Sequence, residues 1–106
     1  MPRVRRKRSR ELTLQVDLHG CDVLSAINLA LCQVREARNS GYQAVELVHG
    51  AADVEYPVEV GRGRIKWELR RLIEEGGFDA WADPCRSWIR AGSITLYLWS
   101  GDSRWQ

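Results

Sequence analysis

The residues best suited to chemistry stand at the end of one short alternating stretch. Asp17 and His19 are two positions apart there, and alternate side chains of a β-strand share one face. An extended backbone therefore places the carboxylate and the imidazole side by side, roughly 6 to 7 Å apart at about 3.3 Å per residue. Gly20 follows and permits a sharp turn. The stretch predicts a strand presenting an acid and an imidazole at its carboxyl end; a merely polar outer face is the alternative.

A second His-Gly pair, His49-Gly50, ends another apolar stretch. We predict strands over residues 12–18 and 42–49, joined by a helix over residues 23–39 with Asp22 as its N-cap. A strand, a helix and a strand in succession pair the two strands in parallel, so both strands end at the same edge of the sheet. Ligands bind outside that edge in open α/β sheets. We expect the only two histidines of the sequence to lie there.

A basic, glycine-rich turn opens the next predicted helix, residues 65–75. An acidic connection over residues 51–60 leads to it. The free amides and positive dipole of a helix N-terminus, together with glycines and arginines, favour phosphate binding. A Gly-Arg-Gly turn is common and is weak evidence alone. The candidate nucleic-acid-binding residues at this edge are Gly20, Gly50, Gly61, Arg62, Gly63, Arg64, Lys66 and Arg70.

The remaining pattern completes a single small domain. Strands are predicted over residues 78–82 and 93–99, with a turn of helix near residues 85–89 between them. The order β-α-β-α-β-β predicts an α/β chain of the α+β two-layer sandwich type, with a four-stranded mixed sheet packed on two helices. Four tryptophans either stack on unpaired bases or pack against the core: Trp67, Trp81, Trp88 and Trp99.

Charge divides the chain of 106 residues into a basic arm and an acidic body. Residues 1–10 contain six of the 16 basic residues and no acidic ones, whereas the remainder has ten basic residues against fourteen acidic ones, a net charge of −4. Such an arm either binds nucleic acid or is a solvated, disordered tail. We predict a disordered arm over residues 1–11, a domain over residues 12–100 and a flexible tail over residues 101–106.

Composition excludes several classes of protein. No apolar run reaches the length of about 18 residues that a membrane span needs, and no signal-peptide pattern follows the basic start. Three cysteines, Cys21, Cys32 and Cys85, lack C-x-x-C spacing. Free thiols in a reducing cytoplasm explain them better than a zinc site or disulfides.

The motifs resemble those of one known family, the small MutS-related (Smr) domain. Val16-Asp17-Leu18-His19-Gly20 is similar to its Leu-Asp-Leu-His-Gly motif, and Val48-His49-Gly50 with Gly61-Arg62-Gly63 is similar to its second motif. The resemblance spans about residues 12–99. It implies the sandwich fold of the C-terminal domain of bacterial translation initiation factor three, nucleic-acid binding and, in a number of members, endonuclease activity. The family runs from His-Gly directly into Lys-Gly-x-Gly, whereas about ten residues intervene here.

Several functions follow as hypotheses from these residues. In the first, the domain is an endonuclease that hydrolyses phosphodiester bonds in DNA or RNA. His19 or His49, with an ordinary pKa of about 6.5, activates water or protonates the leaving oxygen. Asp17 orients His19, acts as a base or binds a divalent cation such as Mg²⁺. In the second, the domain binds nucleic acid or the ribosome without catalysis. In the third, it is a protein-interaction module. The choice of DNA or RNA, the metal and the oligomeric state stay open.

Overall fold

Two helices and five short strands make up the part of the chain that the computed structural model describes. That part comprises residues 13–51, 53–54 and 63–99, together with the backbone of residues 4–6. The elements are β1 (Val4–Arg6), β2 (Thr13–Asp17), α1 (Val23–Asn39), β3 (Ala44–Val48), α2 (Arg64–Glu74), β4 (Trp88–Ile89) and β5 (Ser93–Tyr97). A 3₁₀ turn at Pro84–Arg86 leads into β4.

The strands form one mixed sheet in the order β1-β2-β3-β5-β4. β2 and β3 are parallel and joined through α1, as the βαβ pattern predicts, whereas the other neighbouring pairs are antiparallel. From β2 onward the chain follows the predicted order β-α-β-α-β-β, so the fold class is confirmed. Strand β1 widens the predicted four-stranded sheet to five strands.

The core lies between one face of this sheet and the two helices. Strand register aligns Leu14, Val45 and Leu96 in one row, and Val16, Leu47 and Ile94 in the next. All six side chains are buried. Helix α1 faces these rows with Ala26, Ala30, Val34 and Ala37, and α2 contributes Leu69. The alanines allow α1 to approach the sheet closely.

Helix α1 is 17 residues long and α2 is 11 residues long. Within the described residues, neither helix combines the length and the apolar character that crossing a bilayer requires.

The predicted disordered arm is wrong at one place. Val4–Arg6 pairs antiparallel with β2, with Val4 opposite Val16 and Arg6 opposite Leu14. The edge of β2 would otherwise present unpaired amides and carbonyls, and a short extended segment satisfies them despite its charge. The rest of residues 1–11, and the predicted tail at 101–106, lie outside the described residues.

The predicted strand at residues 78–82 is also wrong. Gly76, with a φ of +83°, ends α2, and the chain then turns so that the amides of Trp81 and Ala82 both donate to the carbonyl of Phe78. Phe78 and Ala82 are buried. A spacing of four is the period of a helical turn rather than a strand. The second neighbour of β5 in the sheet is instead β4, in a region where a turn of helix was predicted.

Candidate functional site

The carboxyl ends of β2 and β3 form a common rim. The amide of Leu18 donates to the carbonyl of Val48 at 2.7 Å, and the amides of His49 and Gly50 both donate to the carbonyl of Gly92 at 3.2 Å. Gly20 and Gly50 follow with φ values of +83° and +72°, in the region that favours glycine. The prediction that both His-Gly pairs reach the same edge of the sheet is confirmed.

Asp17 and His19 are joined by two hydrogen bonds. One carboxylate oxygen, Oδ1, accepts from the backbone amide of His19 at 3.1 Å and contacts its Nδ1 at 2.5 Å. The His19 side chain is 71% exposed. A carboxylate accepts at Nδ1 only when that nitrogen carries the proton, so in the neutral ring Nε2 presents its lone pair. An imidazole with this tautomer and an orienting carboxylate can take up and release a proton.

A cavity of about 800 Å³ opens beside this rim, on the side of the sheet that carries the helices. Its walls are the segments at which the two helices begin, residues 20–24 and 63–66, together with His49 and Ala51. Because the N-terminus of a helix carries free amides and the positive end of the dipole, two such ends at one cavity favour an anion.

The two helix ends differ in how their amides are occupied. Asp22 caps α1 by accepting from the amide of Ser25 at 3.1 Å, and hydrogen bonds from Ser25 lower the pKa of Asp22 below its usual value. Helix α2 begins at Gly63, which has no side chain to form a cap. The amides that open α2 are therefore better placed to receive a ligand than those of α1, where a carboxylate already stands.

His49 lines the cavity and is 5% exposed. Its Nδ1 accepts a hydrogen bond from the amide of Ala51 at 3.1 Å. Its Nε2 is buried and has no hydrogen-bond partner among the described residues. Burial, together with the positive charges of Lys66 and Arg70, lowers the pKa of His49 to about 4. The ring is therefore neutral at pH 7, with Nε2 as a hydrogen-bond donor.

Two of the predicted phosphate contacts have other partners. The Lys66 ammonium is buried and donates to the carbonyls of Ala51 and Val54, at 3.2 and 2.7 Å. The Arg70 guanidinium lies 4.7 Å from the centre of the Trp67 ring. Lys66 thereby holds the connection against the start of α2, whereas Arg70 contacts a ring of its own helix. Arg64, in contrast, is exposed at the cavity, 4.0 Å from the carboxylate of Glu68.

The structure thus brings the predicted site residues to one rim but divides them between its two sides. His49 continues the helix-facing row of Leu47, whereas His19 continues the outward row of Asp17, because side chains alternate along each strand. His19 remains next to Gly50, where an added Cβ would lie 3.3 Å from the Cβ of His19. The expectation of an ordinary pKa for both histidines is wrong for His49.

Sequence patterns left part of this site undetected. Gly61 and Arg62 lie outside the described residues. The cavity walls at Cys21 and Ala51 were not predicted, although each directly follows a His-Gly pair and that adjacency is the available signal. The burial of Lys66 was also missed, since a lysine on a charged helix gives no sign of it.

Neither a metal site nor a relative adds to this geometry. Within residues 13–51, 53–54 and 63–99, no group of three or more His, Cys, Asp or Glu side chains is arranged to hold a metal ion. Comparison with protein-family models, curated proteins and solved structures found no match for the chain. The resemblance to the Smr domain therefore stays a prediction.

Proposed function

We propose that this protein binds nucleic acid at the rim where β2 and β3 end and hydrolyses phosphodiester bonds there. The observation that carries the proposal is the hydrogen-bonded pair of Asp17 and His19 on the outward side of the rim, whose other side borders the cavity between two helix N-termini. Phosphodiester hydrolysis needs a proton-transfer group and an anion-binding site that reach one substrate, and here both lie at the same rim, where His19 adjoins Gly50.

In this proposal His19 moves the proton. Its Nε2 lone pair accepts a proton from the attacking water, and the imidazolium that forms is stabilised by Asp17 across the 2.5 Å contact. The same imidazolium then protonates the departing oxygen. Asp17 is the positioning residue, because its carboxylate fixes the tautomer and the direction of the ring.

The cavity supplies the phosphate contacts. The buried Nε2–H of His49 has no acceptor among the described residues; a buried donor without an acceptor costs about 1 to 3 kcal/mol, and a phosphate oxygen that accepts from it removes this cost. The uncapped amides at the start of α2 and the exposed Arg64 add positive potential. Because His49 stays neutral, it contributes a directed hydrogen bond rather than a charge.

Two further observations support a nucleic acid as the ligand. The fold order and the two His-Gly motifs agree with what the resemblance to the Smr family implies, and the basic arm supplies sequence-independent attraction to phosphates. The free thiols of the three cysteines fit the reducing cytoplasm that the sequence suggested.

One observation favours a second candidate function, binding of nucleic acid or of the ribosome without cleavage. His49 has a pKa of about 4 and its Nδ1 is occupied by Ala51, so it cannot serve as the partner acid or base of His19 at neutral pH. Hydrolysis then depends on one imidazole for both proton transfers, or on a metal. Binding requires neither.

Cleavage of supercoiled plasmid and of structured RNA, with and without a chelator, tests the proposal. We expect His19→Ala and Asp17→Asn to lower the cleavage rate by about 100-fold or more, the scale of general acid–base catalysis. Asp79→Asn is the matched control, an exposed carboxylate beyond the far end of α2, and should cut like the parent. Salt-sensitive binding without cleavage of either substrate, with Mg²⁺ present or absent, establishes the second function instead.

A further inference from the structure

Two aromatic rings on the face of the sheet that points away from the helices are each paired with an arginine. The guanidinium carbon of Arg90 lies 4.6 Å from the centre of the Trp88 ring, and that of Arg86 lies 4.9 Å from the Tyr97 ring. Trp88 is 54% exposed, which is unusual for so large an apolar side chain. We call these four residues the aromatic face.

Strand register places the two rings side by side. Trp88 pairs with Thr95, whose neighbours Ile94 and Leu96 point into the core, so Trp88 and Thr95 face away from the helices. Tyr97 is two positions beyond Thr95 and shares that face. Diagonal neighbours of this kind are about 7 to 8 Å apart across an antiparallel pair, within reach of one another for aromatic side chains.

The charge around the aromatic face is complementary to phosphate. Arg86 and Arg90 are exposed. The two carboxylates at outward positions of β2, β3 and β5 are Asp17 and Glu46. Asp17 is bound to His19, and Glu46 accepts from Gln15 at 2.9 Å and from Ser93 at 3.1 Å. Both carboxylates on this face are thus hydrogen-bonded to neighbouring side chains. The two arginines at the β4 edge, in contrast, lie over aromatic rings and are exposed to solvent.

The other tryptophans in the described residues do not offer such a ring. Trp67 is half-buried on α2 with its indole nitrogen inaccessible, and Trp81 packs against the core. Trp99 is half-buried, and its indole N–H donates to the carbonyl of Asp79 at 2.9 Å. Of the tryptophans predicted either to stack on bases or to pack in the core, Trp88 is the one whose position suits stacking.

We propose that the aromatic face binds unpaired nucleotides of single-stranded nucleic acid. Bases stack on Trp88 and Tyr97, and the planes of Arg90 and Arg86 stack on the bases or contact the adjoining phosphates. Stacking on an exposed sheet face accepts any base but needs it unpaired, since bases inside a duplex present only their edges. The proposal takes its class of ligand from the proposed function and adds a second surface and the preference for single strands.

The position of the aromatic face relates it to the acid–base pair. Asp17 lies on the same outward side of the sheet, three strand spacings from β4, roughly 14 Å. A single strand stacked on Trp88 and Tyr97 can therefore extend along this side of the sheet toward His19. The cavity lies on the other side of the rim, so the two surfaces can be disabled separately.

The test compares three labelled probes by fluorescence anisotropy: a twelve-nucleotide oligothymidylate, a twelve-unit abasic chain with the same phosphates, and a twelve-base-pair duplex. We expect the parent to bind oligothymidylate at least about tenfold more tightly than the abasic chain, because each stacked base contributes about 1 to 3 kcal/mol. Trp88→Ala should remove most of this preference, and Trp88→Phe should restore much of it. Ile89→Ala is the matched control, a partly exposed residue on the opposite face of the same strand, and should keep the preference.

Each result separates this proposal from the proposed function. Equal binding of oligothymidylate and the abasic chain by the parent overturns the aromatic face, as does a preference that Trp88→Ala leaves intact in a folded variant. Cleavage that depends on His19 can persist in either case. If the parent prefers oligothymidylate to the abasic chain but cleaves no substrate, the aromatic face is supported and the hydrolysis proposal fails.

Discussion

The backbone amide of Ala51 donates a hydrogen bond to Nδ1 of His49 at 3.1 Å, inside the turn that follows the strand carrying that histidine. This bond fixes the tautomer, because an acceptor at Nδ1 leaves the proton on Nε2. The segment that turns away from the rim thereby determines what His49 can do there. A buried neutral donor can bind an anion, but it cannot exchange protons near pH 7.

The pH dependence of stability should reveal this environment. Above about pH 6.5 the ring is neutral in both the folded and unfolded states and contributes nothing. As the pH falls from about 6.5 toward about 4, the unfolded chain takes up the proton while folded His49 does not. Acid therefore favours unfolding, by on the order of 1 to 3 kcal/mol at the lower limit.

The comparison of the parent with His49→Gln isolates this contribution. Urea unfolding at several pH values should show a parent-minus-variant difference in the free energy of unfolding that declines between pH 6.5 and 4.5. Subtracting the variant cancels the carboxylates that also titrate there. A difference that stays constant across this range would contradict the low pKa of His49, and NMR titration of its ring protons provides a direct check.

The bond between Asp17 and His19 makes a second prediction, that Asp17 acts through His19. Asp17→Asn should slow cleavage in the parent but have little further effect when combined with His19→Ala, because the group it positions is gone. Single-turnover rates of the four proteins give the coupling. The NMR signal of the His19 Nδ1 proton should also be lost or shifted in Asp17→Asn. Additive losses in rate would show that Asp17 has a separate role, such as binding a metal.

The fold could be predicted from the sequence where side-chain periodicity reported on burial. Alternation in β2 and β5 indicated the correct inward faces, and Asp22 marked the start of α1. Phe78 and Ala82 were misread because two buried residues four apart satisfy a strand and a helical turn equally well over so short a span. Strand β1 was missed because pairing to the edge of β2 depends on backbone hydrogen bonds, which charged side chains conceal.

The candidate site was predicted less completely, for a related reason. The alternation within β2 predicted that Asp17 and His19 share a face, and their hydrogen bonds confirm it. The two histidines differ in environment because each follows the alternation of its own strand, which puts His49 in the buried row of Leu47 and His19 in the outward row of Asp17. The near-continuous apolar stretch before His49 concealed which of its two faces is buried. Burial of Lys66 likewise follows from the path of the connection that it contacts.

Lys66 should be a major source of stability for that connection. Its buried ammonium donates to the carbonyls of Ala51 and Val54, so Lys66→Met leaves both carbonyl oxygens without this donor. We expect a loss of about 2 to 4 kcal/mol in the free energy of unfolding, since bonds to a charged donor and buried unpaired carbonyls are both costly. Urea denaturation measures it.

The matched control for Lys66 lies on the same helix. The guanidinium of Arg71 is 64% exposed and 3.0 Å from Glu68, so Arg71→Met should cost less than about 1 kcal/mol. Equal losses for the two variants would mean that the Lys66 hydrogen bonds contribute no more than a surface ion pair.

We expect Gly63 to tolerate no side chain. Comparison with Gly41 separates the cost of steric overlap from the cost of backbone strain. The φ of Gly63 is +95°, and an added Cβ would lie 2.6 Å from a methyl carbon of Val54. Gly41 has a similar φ of +87°, yet nothing lies within 4 Å of its added Cβ. Gly41→Ala therefore reports backbone strain alone, about 1 kcal/mol, whereas Gly63→Ala should cost about 2 to 4 kcal/mol.

A double variant tests the origin of that difference. Because Val54 causes the overlap, Gly63→Ala combined with Val54→Ala should be more stable than the sum of the two separate losses predicts. If the two losses of stability are strictly additive in thermal or urea unfolding, the cost of Gly63→Ala does not come from overlap with Val54. Loss of anion binding by Gly63→Ala under conditions in which the variant is still folded would further indicate that the backbone at the start of α2 contacts the ligand.

The basic arm should account for part of the salt dependence of binding. Replacing Arg3, Arg5, Arg6, Lys7, Arg8 and Arg10 with glutamine removes its charge, whereas deleting the arm would also remove β1 and its pairing with β2. Every phosphate that the arm no longer neutralises should reduce the slope of log K against log salt by about 0.7 for a single strand and about 0.9 for a duplex. Anisotropy titrations from about 50 to 200 mM salt, the range over which counterion release strongly changes affinity, measure the slope. Arg35→Gln, on the exposed surface of α1, is the control and should change it little, and an unchanged slope in the arm variant would exclude the arm as a phosphate-binding segment.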